Sequence, residues 1–296
     1  MNALGDRPAA AVTTREIDAL LASVARTGVT PRTVNKARAI ISAIFNYGMR
    51  PSTFELAENP AKHADRRSEP DSAMLGFYSP EQVEVLACAI ASGAHRDQHR
   101  VAISPEEIAA RAADDAQDGE LIRVAAFAGL RRGELIALKW RDVNLVARKL
   151  TVRRTVSGTI ELTSTKSRRA RDVPIPDQAE AAFARLRDRT DFTGADDYVF
   201  VNRLGRRLDP SSLRRRYERA RAAAGLEPLR FHDLRHTYGS LLVAGGIDLV
   251  SVKAAMGHSR ISTTERYLHA RPAADEAKRF SRALAGVGAS GFKEPT

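Results

Sequence analysis

The sequence predicts a mainly α-helical protein with a small antiparallel β-sheet, an α+β chain in two parts. Three observations lead there. Thr13 with Glu16, Thr30-Pro31, Ser79-Pro80 and Ser104-Pro105 each stand directly before an amphipathic run. A hydroxyl in that place accepts an unpaired first-turn N–H, and proline at the first helical position loses no hydrogen bond. Between residues 150 and 175 the apolar period shortens to that of strands, with β-branched residues around the turn signal Ser157-Gly158. After Asn59-Pro60 a charged, proline-containing stretch at 62–72 interrupts the periodicity and reads as a boundary.

Taken in order, residues before Val12 are small and polar. A first helix carries Ile17, Leu20, Leu21 and Val24 on one side and closes near Gly28. A second carries the stripe Val34, Ile40, Ile41, Ile44 and Phe45, which leaves Arg32, Lys36 and Arg38 on the other faces. Residues 1–65 therefore form a small helical domain with a basic outer face. Residues 66–77 form a linker, 78–290 a second domain and 291–296 a tail. The second domain opens with a helix bearing Val83, Leu86 and Ile90, followed by a polar loop at 93–100. The next helix has a buried apolar run at 122–130, and its polar stretch 114–119 reads as a surface interruption. A short helix at 133–139 precedes the strands. These are 150–156, a return at 159–163, and an edge strand at 172–175 that ends at proline, which cannot donate to a ladder. Lys166, Arg168 and Arg169 sit at a loop tip between them. Helices return at 178–189, 211–224, 248–256 and 262–269, with a last amphipathic segment at 273–284.

Charge narrows the function. Forty-seven Lys and Arg against 36 Asp and Glu leave a formal +11, which favours a polyanionic partner. The excess is concentrated: residues 131–171 hold Arg131, Arg132, Lys139, Arg141, Arg148, Lys149, Arg153, Arg154, Lys166, Arg168, Arg169 and Arg171 against Glu134, Asp142 and Glu161. A single cysteine, Cys88, excludes an internal disulfide and a cysteine-based zinc site. His232 and His236 have helical spacing but no third ligand nearby, so neither metal nor cofactor is expected. No apolar run reaches the ~20 residues of a membrane span, and no signal-peptide core opens the chain. The sequence reads as a soluble cytoplasmic protein with no membrane partner.

The densest chemistry lies in Phe231-His232-Asp233-Leu234-Arg235-His236. His232 and Arg235, three apart, share a helix face, and an imidazole beside a guanidinium fork suits an anionic phosphoryl group. Four other stretches fit the same chemistry: Gly129-Leu130-Arg131-Arg132-Gly133-Glu134, Lys166 on its loop, Met256-Gly257-His258-Ser259, and Thr263-Thr264-Glu265-Arg266-Tyr267-Leu268-His269. Each alone has a plain structural reading: a helix-end arginine, a solvated lysine, a capping histidine, a packing tyrosine. Tyr238, one turn past Arg235, reads as packing, and His236 as structural.

In this order and at these separations the motifs resemble the tyrosine recombinase, or phage integrase, family. The resemblance covers nearly all of the second domain and, less specifically, the first. It implies a helical core-binding domain followed by a mixed α/β catalytic domain. It also implies a site-specific DNA recombinase, such as the integrase of a mobile element, that cleaves and rejoins DNA through a 3′-phosphotyrosyl intermediate without ATP or metal. On this resemblance Tyr267 attacks phosphorus, Arg131 and Arg235 clamp the non-bridging oxygens, and His258 adds a third donor. Lys166 protonates the departing 5′ oxygen, His232 takes or relays the tyrosine proton, and Glu134 orients its neighbours. Arg32, Lys36, Arg38, Arg168 and Arg169 are the expected DNA contacts. The implied partners are double-stranded recombination sites, a homo-tetramer on DNA and accessory DNA-bending proteins, with the 273–284 helix docking on a neighbouring protomer. The first domain is shorter than the family's usual one, and 93–119 is longer. Two other outputs fit similar residues: a type IB topoisomerase that relaxes DNA, and a DNA-binding regulator with a vestigial site.

Overall fold

The computed structural model describes residue 5 and residues 7–69, 75–96, 103–158, 160–163 and 170–270. Lys166, Arg168, Arg169 and the 273–284 segment lie outside them. The chain divides into two compact units, 1–73 and 74–296.

In the first unit α1 (Thr14–Arg26) and α2 (Pro31–Gly48) pack with a short 3-10 turn at Pro60–Lys62. Thr13 and Glu16 cap α1 reciprocally: the Thr13 hydroxyl accepts from Glu16 N, and the Glu16 carboxylate accepts from Thr13 N at 2.9 Å. Val12, Ile17, Leu21, Val34, Phe45, Ala61 and Ala64 form the core. The stripe expected on α2 is narrower than the sequence implied. Ile40 and Ile44 are 53% and 64% exposed. Each precedes an inward residue, Ile41 or Phe45, by one position, and about 100° of helical rotation carries it off the buried face. Asn59, buried at the turn, donates to Ser42 O and to Asn46 Oδ1 and accepts from Ala61 N, fixing where the chain leaves α2.

The second unit is built on α4 (Pro105–Ala128), which packs against α3 (Pro80–Ala91), α6 (Asp177–Arg187) and α8 (Asp233–Ala244). It is unbroken, so the surface interruption expected at 114–119 is corrected. Asp115 and Asp118 are buried there as paired charges. Arg96 donates twice to Asp115 at 2.6 Å, and Arg216 of α7 (Pro210–Ala223) clamps Asp118. Gly119 lies where α3 crosses: a Cβ would stand 2.9 Å from Ala87 O and from Ala91 Cβ. Polar composition here marks a close helix crossing with satisfied ion pairs.

After α5 (Arg132–Ile136) the described residues form five short strands. β1 (Val143–Asn144), β2 (Lys149–Val152) and β5 (Arg171–Pro174) form an antiparallel sheet in the order β1-β2-β5, with Leu150 opposite Val173 and Val152 opposite Arg171. β3 (Thr155–Ser157) and β4 (Ile160–Leu162) form a separate hairpin around Ser157-Gly158. The single strand expected at 150–156 is therefore two. The ladder breaks at Arg153-Arg154, where Arg154 turns inward to bind Asp142. β5 is an edge strand, and it ends at Pro174. α9 (Leu249–Met256) and α10 (Ser262–Glu265) follow α8.

Candidate active site

The site forms where helix ends meet. α4 stops at Gly129, whose φ of +61° is left-handed; a Cβ there would lie 2.2 Å from the Tyr238 ring, so glycine is required. Tyr238 is thus a packing residue, as its place one turn past Arg235 suggests. The turn after Gly129 delivers Arg131 as the N-cap of α5. The Glu134 carboxylate accepts from Arg131 N at 2.8 Å and from Arg131 Nη1 at 2.9 Å.

Glu134 also accepts two hydrogen bonds from Arg171, at 2.8 and 2.7 Å. Burial alone would raise its pKa, but the Arg171 hydrogen bonds, with the charges of Arg171 and Arg131, outweigh burial and hold it at about 2. The expected orienting carboxylate therefore touches arginines, and among the described residues no hydrogen bond joins it to a histidine.

α9 supplies the other anchor. Its last carbonyls and that of its left-handed cap Gly257, which have no partners within the helix, each accept from a different arginine. Arg171 Nε donates to Ala255 O at 3.2 Å, Arg235 Nη2 to Met256 O, and Arg131 Nη2 to Gly257 O at 3.3 Å. Arg235, 3% exposed, also donates to Gly129 O at 2.6 Å, tying α8 to the ends of α4 and α9. Burial, and then the Arg131 charge, push its pKa down to about 9. Two guanidinium groups, of Arg131 and Arg171, thus share one carboxylate, and a third, of Arg235, is held by main-chain carbonyls beside them.

The histidines and tyrosine stand beside this cluster. His232 caps α8 with an edge open to a cleft of about 680 Å³, lined also by Arg132, Ser211, Arg214 and Arg230. Enclosure by the surrounding protein, then the Arg235 charge, lower its pKa. His258 follows Gly257; its Nδ1 is 3.0 Å from Thr264 Oγ1, and its ring stacks on Tyr267 with centroids 6.2 Å apart. Burial, with Arg235 and Arg131 nearby, pushes His258 down to about 4. Tyr267 is 1% exposed, and burial raises its pKa against the pull of Arg235, so the phenol is neutral. Its ring fits only because position 239 is glycine: a Cβ there would come 2.9 Å from two Tyr267 ring carbons.

Of the residues the sequence singled out, Arg131, Glu134, His232, Arg235, His258 and Tyr267 come together. Two residues were missed. Arg171 was counted among the basic residues and given no role. Its signal was alternation, because residues 171 and 173 share one strand face and Val173 is fully buried. His236, read as structural, places Nδ1 2.8 Å from the Tyr267 hydroxyl. In the first unit Arg32 and Lys36 are exposed on α2, whereas Arg38 donates to Ala64 O at 2.9 Å and Lys62 O at 3.0 Å. Among the described residues no cluster of three or more His, Cys, Asp or Glu could hold a metal ion, and no helix is long and apolar enough to cross a membrane.

Comparison with known proteins gives a consistent picture. The sequence profile of the phage integrase family matches residues 102–274. A XerC-like tyrosine recombinase of Caldanaerobacter subterraneus subsp. tengcongensis is 32% identical over 177 residues, 51% of this chain and 45% of that protein. XerC of Chlorobaculum parvum is 34% identical over 162 residues, 52% of this chain and 45% of that one. The chain thus spans about half the length of many curated relatives it matches. The alignment with XerC of Alcanivorax borkumensis, 27% identical over 271 residues, reaches 90% of this chain and 78% of the relative. Among solved structures, the Tn1549 transposon integrase in complex with a circular intermediate DNA superposes with a TM-score of 0.68 at 19% identity. That match covers 95% of this chain and 88% of that one. A lambda integrase dimer bound to a COC′ core site gives 0.63 at 18% identity, over 90% of this chain and 67% of that one. At these identities the structures speak for a shared fold.

Proposed function

The chain belongs to the phage integrase family, and from that premise we propose that it is a site-specific DNA recombinase. It cleaves and rejoins DNA strands through a 3′-phosphotyrosyl intermediate on Tyr267. One observation carries the reading: Arg131 and Arg171 share the single carboxylate of Glu134, Arg235 is held close by on the carbonyls of Gly129 and Met256, and a buried, neutral phenol stands beside them. The three arginines outnumber the one carboxylate, and burial, then the Arg131 charge, lower the pKa of Arg235. A phosphodiester entering from the cleft restores the balance.

In this mechanism Tyr267 Oη attacks phosphorus in line with the departing 5′ oxygen. Negative charge grows on the non-bridging oxygens, where Arg131, Arg235 and His258 act as donors already fixed by backbone carbonyls and Thr264. Lys166, assigned by family resemblance, protonates the leaving oxygen. Exchanging one phosphodiester for another keeps the bond's free energy in the link, so resealing needs no ATP. Arg132, Arg214 and Arg230 at the cleft, with Arg32 and Lys36 on α2, supply contacts to the DNA backbone. A tetramer on two duplexes, with 273–284 docking on a neighbour, completes strand exchange.

A nicked suicide duplex carrying the element's own end sequences tests this. Wild type accumulates a covalent 3′ adduct and Tyr267→Phe accumulates none. An adduct in the variant, or none in wild type, defeats the reading. Relaxation of a supercoiled plasmid of arbitrary sequence would point instead to a topoisomerase.

A further inference from the structure

The histidine that touches the nucleophile is not the one the motif assigns. His236 Nδ1 stands 2.8 Å from Tyr267 Oη. His232 makes no hydrogen bond to that hydroxyl; its ring lies edge-on to His236, with centroids 5.1 Å apart. On the far side of the His236 ring, Nε2 faces Asp233 Oδ1 at 3.9 Å. Asp233 is itself fixed by Arg230, which donates from its backbone N at 2.8 Å and its Nη2 at 2.9 Å. Carboxylate, imidazole and hydroxyl therefore stand in a row across the first turn of α8 and the segment after α10.

We propose that His236 is a catalytic residue: it accepts the Tyr267 proton through Nδ1, with Asp233 orienting the ring. The inference rests on the recombinase reading above and replaces one role within it. At 3.9 Å the Asp233 carboxylate acts on Nε2 through its charge and not through a hydrogen bond, and that charge favours the tautomer with the proton on Nε2, which leaves the Nδ1 lone pair for the phenol. Burial, with His232, Arg230 and Arg266 adding positive charge against Asp233, pushes His236 down to about 4, so the ring is a free base near neutrality. The tyrosine is already in the site: its ring stacks on His258 and it feels the charges of Arg235 and Arg131. In the cleavage step the Tyr267 O–H proton moves to His236 Nδ1 as the Oη–P bond forms. The P–O5′ bond breaks and O5′ takes a proton from Lys166. On resealing the 5′-hydroxyl returns its proton to Lys166, and the imidazolium returns its own to the phenolic oxygen. His232, with its open edge on the cleft, is left as a donor to the phosphate.

The test is single-turnover cleavage of the suicide duplex by the full chain. Wild type is compared with His236→Ala, His236→Asn and His232→Ala, with DNA affinity and melting temperature as controls. His236→Ala should lose about 10²–10³-fold in rate, within the usual range for a general base, at unchanged affinity. His236→Asn keeps an acceptor near the Nδ1 position but cannot take a proton, and should lose nearly as much. Free imidazole should restore part of the His236→Ala rate. The acidic limb of the wild-type rate profile, set by His236 amid Asp233, His232, Arg230, Arg266 and Tyr267, should vanish in both His236 variants. A wild-type or faster rate in His236→Ala overturns the proposal, as does full activity in His236→Asn, which would make the ring a positioning group. If wild type itself forms no adduct, the recombinase reading falls; if it does and His236→Ala matches it, only the role of His236 falls.

Discussion

Removing Arg171 should unfasten the site from its base. Its guanidinium makes two hydrogen bonds to Glu134, at 2.8 and 2.7 Å, and a third to Ala255 O, with 13% of the side chain exposed against 2% for Glu134. In Arg171→Ala a nearly dry carboxylate loses its main partner. Breaking a buried pair from one side costs about 3–5 kcal/mol, because the remaining charge is left uncompensated. The lower end applies here, since Arg131 still donates to Glu134 at 2.9 Å. For a domain this size about 3 kcal/mol corresponds to a fall of about 6–12 °C in melting temperature. Arg171→Lys should recover little, because one ammonium cannot span both carboxylate oxygens. Arg171→Met combined with Glu134→Gln should recover much of the loss, because the double change removes both charges of the pair and leaves neither one unpaired. Thermal melting of the purified full-length variants measures all three. A single variant within 2 °C of wild type, or a double variant less stable than the single, would refute the argument that Arg171 neutralises Glu134.

Two further outcomes follow from the same geometry. Glu134 has its pKa depressed from 4.5 to about 2, so its contribution to stability is complete above pH ~4.5 and is lost as pH falls toward 2. Denaturant titrations at pH 7 and pH 3 should show wild type losing about 2 kcal/mol more than Glu134→Gln; equal losses would mean the carboxylate is not held charged. Gly239→Ala places a methyl 2.9 Å from the Tyr267 ring and from Met256 Sδ. Displacing the nucleophile should cut adduct formation by at least about tenfold while DNA affinity holds; a wild-type cleavage rate would show that the ring has room to spare.

The sequence made the chemistry easier to read than the packing. Arg131, Glu134, Arg235, His258 and Tyr267 could be picked out because each sits in a short motif at a helix junction, where a side chain's direction follows from the turn. Arg171 announced itself only through strand alternation, and a basic residue opening an edge strand reads as solvated until its buried neighbour Val173 is known. His236 lay one turn from His232, yet its partner Tyr267 is 31 positions away, a contact that local periodicity does not encode. The errors of fold share one cause. Asp115, Asp118 and Gly119 look like surface because composition does not reveal Arg96 and Arg216 arriving from elsewhere in the chain. Ile40 and Ile44 look like core because an apolar stripe does not state its width.

The carbonyls of Ala255, Met256 and Gly257 give the cluster a property that carboxylates could not. A cation moored to a carboxylate is fixed in place but cancelled. A cation moored to a main-chain oxygen is fixed in place with its full unit of charge still available to a newcomer. Arg235, moored to Gly129 O and Met256 O and to no carboxylate, therefore holds position and field strength at once. The mooring is also hard to mutate away, since every residue type carries the same carbonyl. Sequence drift can reach it chiefly at Gly129 and Gly257, the left-handed caps that end the two helices, so this part of the site is heritable as backbone shape more than as side-chain identity.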